Sequence, residues 1–130
     1  EVQCLATAVY IESRGEGEKG MTAVAYVVLN RMQHPSFPDT ACGVVYQKRT
    51  VKGKVRCEFP WACGALPTKL RSPQFEVALE VARKVIRHDV ANPVGKSLFF
   101  HERSIKTPRF SHRQEFVATI GNHRFFGISN

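Results

Sequence analysis

Tyr10-Ile11-Glu12-Ser13-Arg14-Gly15 closes an apolar stripe of Val2, Leu5, Ala6 and Val9, and the way it is read decides the fold. The stripe recurs at helical spacing, and Glu12 continues it one turn past Val9. Gly15 supplies a natural stop, so a helix is expected over residues 2–13. Glu12 then has two readings. On the inner side of the helix end its carboxyl loses hydration, which favours the neutral, proton-donating form that a general acid needs. If the helix turns outward there, Glu12 is simply solvated.

Met21, Val24, Ala25, Val28 and Met32 form a second stripe and predict a helix after Gly20. It should end before His34-Pro35, because the residue preceding proline is pushed out of the helical region. Residues 14–19 become a short connection carrying Glu16 and Glu18. Residues 35–70 are richer in Pro, Gly, Cys and basic side chains. There, 40–46 suits a short helix, Lys52-Gly53-Lys54 a turn, and 56–61 a strand or an ordered loop. Ser72 and Pro73 supply an N-cap and a first helical residue. The helix they open is expected to turn Phe75, Ala78, Leu79, Ala82 and Ile86 inward. Asn92-Pro93-Val94-Gly95 breaks it. Residues 97–101 read as a short strand and 115–120 as a helix or an extended piece. A chain of 130 residues fits one domain, 1–130, with a real core. The expected class is α+β, helix-dominated, with irregular connections walling a groove.

With 43% hydrophobic and 23% charged residues, the composition is that of a soluble globular protein. No apolar run approaches membrane-spanning length, so no transmembrane segment is expected. Opening at Glu1 instead of Met suits a processed or trimmed chain. The formal net charge is +8, with Lys48, Arg49, Lys52, Lys54 and Arg56 in one segment and Arg103, Lys106, Arg109 and Arg113 in another. Such a surface attracts nucleic acid, anionic lipid or acidic envelope polymers, or else only adds solubility.

Cys4, Cys42, Cys57 and Cys63 permit three pairings, and no CxxC spacing of a zinc ribbon occurs. Disulfides of a secreted or periplasmic protein are preferred over buried free thiols, and the short loop favours Cys57 with Cys63. His34, His88, His101, His112 and His123 form neither HExxH nor a helical pair, so no metal and no other cofactor is expected. A Cys–His nucleophile built from Cys57 or Cys63 with His101 or His123 has no local signature. Phe59-Pro60-Trp61, Phe99-Phe100-His101 and Gly121-Asn122-His123-Arg124-Phe125-Phe126 place aromatics beside amide and imidazole groups, as a saccharide groove requires. Phe75, Phe99 and Phe116 are expected in the core. Trp61, in a polar segment, is the better exposed ring.

Taken together and in order, these stretches resemble the SleB-type cell-wall hydrolases, a group that includes spore cortex-lytic enzymes, bacterial envelope hydrolases and some phage endolysins. The resemblance rests on Cys4-Leu5-Ala6, Tyr10-Ile11-Glu12-Ser13-Arg14-Gly15-Glu16 and Val24-Ala25-Tyr26-Val27-Val28-Leu29-Asn30-Arg31. It continues through Phe37-Pro38-Asp39-Thr40, Cys42-Gly43-Val44-Val45-Tyr46-Gln47 and Cys57-Glu58-Phe59 with Cys63. It closes on Asn92-Pro93-Val94-Gly95, Phe99-Phe100-His101 and Ile120-Gly121-Asn122-His123-Arg124-Phe125. The resemblance implies a lysozyme-like fold and cleavage of the β-1,4 bond between N-acetylmuramic acid and N-acetylglucosamine, with Glu12 as catalytic acid. Ser13 stands where Ala is commoner, and the Glu-Ser pair is similar to that of soluble lytic transglycosylases. Glu58-Phe59-Pro60 stands where the family often has Gln-Phe-Ser, which adds a second carboxyl.

The number of acids sets the mechanism expected. Hydrolysing glycosidases use two carboxyls, about 5 Å apart when retaining and roughly 6.5–9.5 Å when inverting. A lytic transglycosylase works with one, which protonates the leaving oxygen and then activates the muramyl C6 hydroxyl to close a 1,6-anhydro ring. The favoured expectation is the single-acid route on Glu12. A muramidase using Glu12 with Glu58 is the alternative, and a non-enzymatic polyanion-binding module using the two basic segments is the third. Among substrate-binding candidates, Asn122 and His123 would bond N-acetyl groups or the departing sugar, and Phe59 and Trp61 would stack on a ring. Tyr10 and Ser13 would orient Glu12. The expected partners are peptidoglycan strands and an anionic envelope surface, not nucleic acid, with the protein a monomer in the cell wall or periplasm, secreted or phage-delivered.

Overall fold

The computed structural model describes residues 1–13, 15–64, 72–105 and 114–128. Arg14 of the first motif and Lys106, Arg109, His112 and Arg113 lie outside the described residues. Helix α1 spans Val2–Ser13, as its stripe predicts, and buries Leu5, Ala6, Ala8 and Val9. Helix α2 spans Glu18–Met32 and begins earlier than expected, with Glu18 in its first turn, where an acidic side chain complements the helix dipole. Its expected single stripe is too narrow. All residues from Gly20 to Leu29 are buried, so α2 is the central helix. Its partners are α1 and helix α4, Pro73–Ile86, which also pack on each other.

Ser72 caps α4 by accepting from the Phe75 amide at 3.1 Å. The face expected for α4 needs correcting. Phe75, Ala78 and Ala82 are buried as expected, but Val81 and Val85 complete the inner face while Ile86 is 38% exposed. The buried stripe thus runs along the 78–81–82–85 rows, and Leu79 sits only partly covered at its edge. Short helix α3, Ala41–Val45, carries a Thr40 cap on the Gly43 amide. Glu1 accepts from the Ala41 amide at 2.8 Å, and Cys4 is bonded to Cys42, so α1 and α3 are joined twice.

Strands β1, Lys48–Val51, and β2, Lys54–Cys57, form an antiparallel hairpin with its tip at Lys52 and Gly53. The turn at Lys52-Gly53-Lys54 was expected, but of the 56–61 stretch read as a strand or an ordered loop only Arg56 and Cys57 lie in β2, and β1 was not expected. All its residues except Cys57 are exposed, so one of the two basic segments is a solvated ribbon. The Cys57–Cys63 disulfide ties the ribbon to a single 3-10 turn, Pro60–Cys63, as the short loop suggested.

The second sheet is antiparallel, in the order β3-β5-β4, from Phe99–Glu102, His123–Ile128 and Gln114–Ile120. Residues 115–120 resolve as strand, and the closing aromatic segment becomes the central strand β5. Alternation along β5 sends His123 and Phe125 toward the helices, and Phe125 is fully buried. Phe116 was expected in the core and is 59% exposed, because it lies at the bulge of edge strand β4. No described helix is long and apolar enough to cross a membrane.

Candidate active site

The last turn of α1 carries Glu12 to the rim of a recess of about 200 Å³ lined by Ile11, Glu12, Ser13, Gly15, Glu16, Glu102, Asn122 and His123. The recess lies where the helix end meets the β4–β5 turn. Glu12 is partly buried, so of its two readings the structure shows the inward one. Burial pushes its carboxyl above the ordinary carboxylate value, more than offsetting a hydrogen bond from Trp61 and the charges of His123 and Arg31 that pull it down. Glu102 adds to the rise.

Trp61 donates its indole Nε1–H to Glu12 Oε1 at 3.3 Å. The ring is held by Tyr46, edge-on at 6.3 Å, and by Phe59 at 5.7 Å. Trp61 thus meets the carboxyl through its N–H, a contact in addition to the stacking surface expected of it. Phe59 is corrected outright: at 3% exposure it belongs to the core and offers no face to a sugar. Ser13 is buried, and its hydroxyl donates to the Val9 carbonyl at 2.6 Å, one turn back, so it secures the helix end instead of orienting Glu12. Tyr10 is partly buried with its ring edge-on to Phe75 at 5.6 Å.

Asn122 and His123 reach the recess as expected. Their immediate partner is Glu16, which accepts the Asn122 backbone N–H at 2.6 Å and approaches Asn122 Nδ2 at 3.4 Å. His123 Nδ1 lies 3.4 Å from Glu16 Oε1, an ion-pair distance longer than a well-made N–H···O bond. Glu58 does not line the recess. It pairs with Arg49 of the hairpin at 3.3 Å and faces Arg31 electrostatically.

Two residues escaped the sequence reading. Glu102 is the cross-strand partner of His123 and lines the recess. Arg31 is 6% exposed, with its Nε donating to the Leu98 carbonyl at 2.7 Å and its guanidinium against Phe37, Phe59 and Phe99. Burial draws the Arg31 pKa down, while Glu58 and Glu12 oppose that shift. The signal for Arg31 was present, three residues past Val28 on the α2 stripe. An adjoining recess of about 460 Å³ shares Glu102 and Asn122 and adds Arg103, Ser104 and Arg124, extending an open track away from Glu12. A separate recess beside Asn30, His34 and Lys96 is lined by no carboxylate.

A partly buried carboxyl whose pKa is raised by burial, at a helix end facing a sheet turn across an open recess, has the protonation a general acid needs. The chain belongs to the Cell Wall Hydrolase family, whose model matches residues 15–126. Glu12 itself falls just ahead of that span. Among curated relatives, the spore cortex-lytic enzyme of Bacillus cereus is 29% identical over 127 residues, or 96% of this chain. The chain spans 43% of that relative's length. The spore cortex-lytic enzyme of Oceanobacillus iheyensis is 49% identical over 49 residues, covering 38% of this chain and 18% of the relative. Among solved structures, the catalytic domain of the germination-specific lytic transglycosylase SleB from Bacillus anthracis superposes with a TM-score of 0.72. That match has 29% identity and covers 97% of this chain and 93% of the other. The catalytic domain of Bacillus cereus SleB gives 0.69 at 28% identity, covering 97% and 88%. The α+β, lysozyme-like fold is therefore the one the motifs implied.

Proposed function

We propose that residues 1–130 form a single catalytic domain that cleaves the β-1,4 bond between N-acetylmuramic acid and N-acetylglucosamine as a lytic transglycosylase. The observation that carries this reading is Glu12, partly buried, held by the Trp61 indole and raised in pKa by its burial. A neutral carboxyl at that place donates its proton to the glycosidic oxygen as the bond to the muramyl C1 breaks. The carboxylate so formed stabilises the developing positive charge at C1 and then takes the proton of the muramyl C6 hydroxyl. The C6 oxygen bonds to C1, a 1,6-anhydro ring closes, and Glu12 is protonated again without consuming water. His123 and Asn122, on the opposite wall, meet the sugar's hydroxyl and N-acetyl groups. The adjoining track past Arg103 and Arg124 takes the continuing strand with its acidic substituents.

The exposed cations of residues 48–56 hold the domain, as a monomer, against an anionic envelope in the cell wall or periplasm, whether it is secreted or phage-delivered. A hydrolytic second reading draws support from one observation: the recess holds further carboxylates, Glu16 and Glu102 but not Glu58, and Glu16 is already engaged by Asn122, which leaves Glu102. Mass spectrometry of fragments released from purified peptidoglycan separates the readings. Anhydro-ended fragments from the parent, absent with Glu12→Gln, are expected. Fragments heavier by one water, lost with Glu102→Gln, would replace the transglycosylase by a hydrolase. No fragments, with salt-sensitive polyanion binding intact, would return the basic surface to the front.

A further inference from the structure

Glu16 is the least accountable carboxylate in the site if its function is only to be polar. Its side chain is 10% exposed, and burying a charge that far is costly unless it is matched by donors. The chain supplies two from the opposite wall, the Asn122 backbone N–H at 2.6 Å and Asn122 Nδ2 at 3.4 Å, and brings His123 Nδ1 to 3.4 Å, an ion-pair distance without a hydrogen bond. It also clears the space. A Cβ at Gly121, where φ is +56°, would lie 2.7 Å from Glu16 Oε1 and 3.0 Å from its Cδ. A Cβ at Gly20 would lie 2.6 Å from Glu16 Cβ. Two glycines on separate elements thus give this one side chain its seat.

The imidazole it meets is fixed in every other direction. His123 is 7% exposed, edge-on to Phe100 at 5.3 Å and to Phe125 at 6.2 Å, and paired across the strands with Glu102. Its Nδ1 is buried, makes no hydrogen bond among the described residues, and has Glu16 Oε1 in front of it at an ion-pair distance of 3.4 Å. A neutral imidazole carries its proton on one nitrogen only, and a carboxylate facing Nδ1 holds it there.

We propose that Glu16 is the positioning residue of this site: it locks the Asn122–His123 turn onto the helix end and keeps the His123 proton on Nδ1. Nε2 is then a hydrogen-bond acceptor in the recess that Glu12 shares. An acceptor beside the acid suits a sugar hydroxyl, and in the single-acid route the hydroxyl that must be aimed is the one at muramyl C6. The role in turnover rests on the glycan-cleaving reading above, whereas the tautomer of His123 does not.

Long-range proton–nitrogen NMR correlation on the imidazole, under conditions where it is neutral, tests the lock directly. The parent is expected to show a single His123 tautomer protonated at Nδ1. Glu16→Gln is expected to mix the tautomers and to lower kcat by between about tenfold and a hundredfold, with KM changed less than about twofold. Gly121→Ala, which crowds the carboxylate without removing it, should move both readouts the same way. Should Glu16→Gln fail to fold, the parent spectrum and Gly121→Ala decide. A parent protonated at Nε2 would overturn the proposal, as would a Glu16→Gln protein with unchanged tautomer and kcat. So would a kcat loss accompanied by lowered thermal stability and an unaltered His123 spectrum, which is a purely structural role. Failure of the parent to release anhydro-ended fragments would sink the transglycosylase reading and leave the spectral result standing.

Discussion

Trp61 Nε1 donates to Glu12 Oε1 at 3.3 Å, and Trp61 is the only tryptophan in the chain. The bond favours the ionised carboxylate and so pulls the Glu12 pKa down against the rise imposed by burial. Trp61→Phe removes the donor and should raise that pKa further. The alkaline limb of kcat/KM, where the acid loses its proton, is expected to move to higher pH. Fluorescence gives an independent check, since emission from Trp61 should follow the ionisation of Glu12 and become pH-independent in Glu12→Gln over the same range. A limb that stays in place in Trp61→Phe would remove the indole from the tuning of the acid.

The same raised pKa makes a stability prediction. In the unfolded chain Glu12 ionises at an ordinary carboxylate pKa, whereas the folded carboxyl holds its proton to higher pH. The contribution of this group to stability is therefore full below the unfolded pKa and is lost as pH rises through the folded one. Glu12→Gln keeps the shape and removes the ionisation. It should melt above the parent at neutral pH, and the gap should close as pH falls below the ordinary carboxylate range. Thermal scans across pH check it; a variant less stable than the parent at neutral pH contradicts the buried-acid account.

Helix α1 was legible because one apolar stripe and one glycine carry its signal, whereas the stripe left Glu12 open between an inward and a solvated placement until its packing decided it. The sheet was less so. Phe125 and Phe126 are buried on opposite faces of β5, which erases the alternation by which a strand is recognised. Phe59 misled for a related reason: its neighbours Glu58 and Pro60 are polar or turn-forming, yet the ring enters the core beneath Arg31. Glu102 became a site residue only through its pairing with His123 across 21 positions, and Glu16, already placed beside Glu12 by the sequence, meets Asn122 across 106; no local pattern encodes those partners.

Arg31 is the buried cation of the site. It donates to Leu98, lies 5.1 Å from the Phe37 ring and 5.6 Å from those of Phe59 and Phe99, and lies in the field of both Glu58 and Glu12. Arg31→Met keeps much of the packing and strips the charge. It leaves the Leu98 carbonyl without that donor, a loss of about 1–3 kcal/mol for a buried acceptor. It also deletes a cation that lowers the Glu12 pKa, so the alkaline activity limb should shift upward, as in Trp61→Phe. Denaturant titration and a pH profile test the two halves separately. An unshifted limb with reduced stability would confine Arg31 to the core.

The two disulfides should separate stability from activity. Cys4–Cys42 closes a span of 38 residues and Cys57–Cys63 one of 6. By loop-closure entropy the first constrains the unfolded chain by about 4 kcal/mol and the second by about 2 kcal/mol. Double replacement of Cys4 and Cys42 by Ala should therefore lower the melting temperature more. The shorter bridge, however, encloses Trp61 and anchors the turn that brings its indole to Glu12. Replacing Cys57 and Cys63 together should cost less stability while loosening that donor, moving the alkaline limb upward and lowering kcat. The expected order is thus reversed between calorimetry and kinetics. Equal rankings in the two measurements would mean that the Cys57–Cys63 bridge supports the fold without placing Trp61.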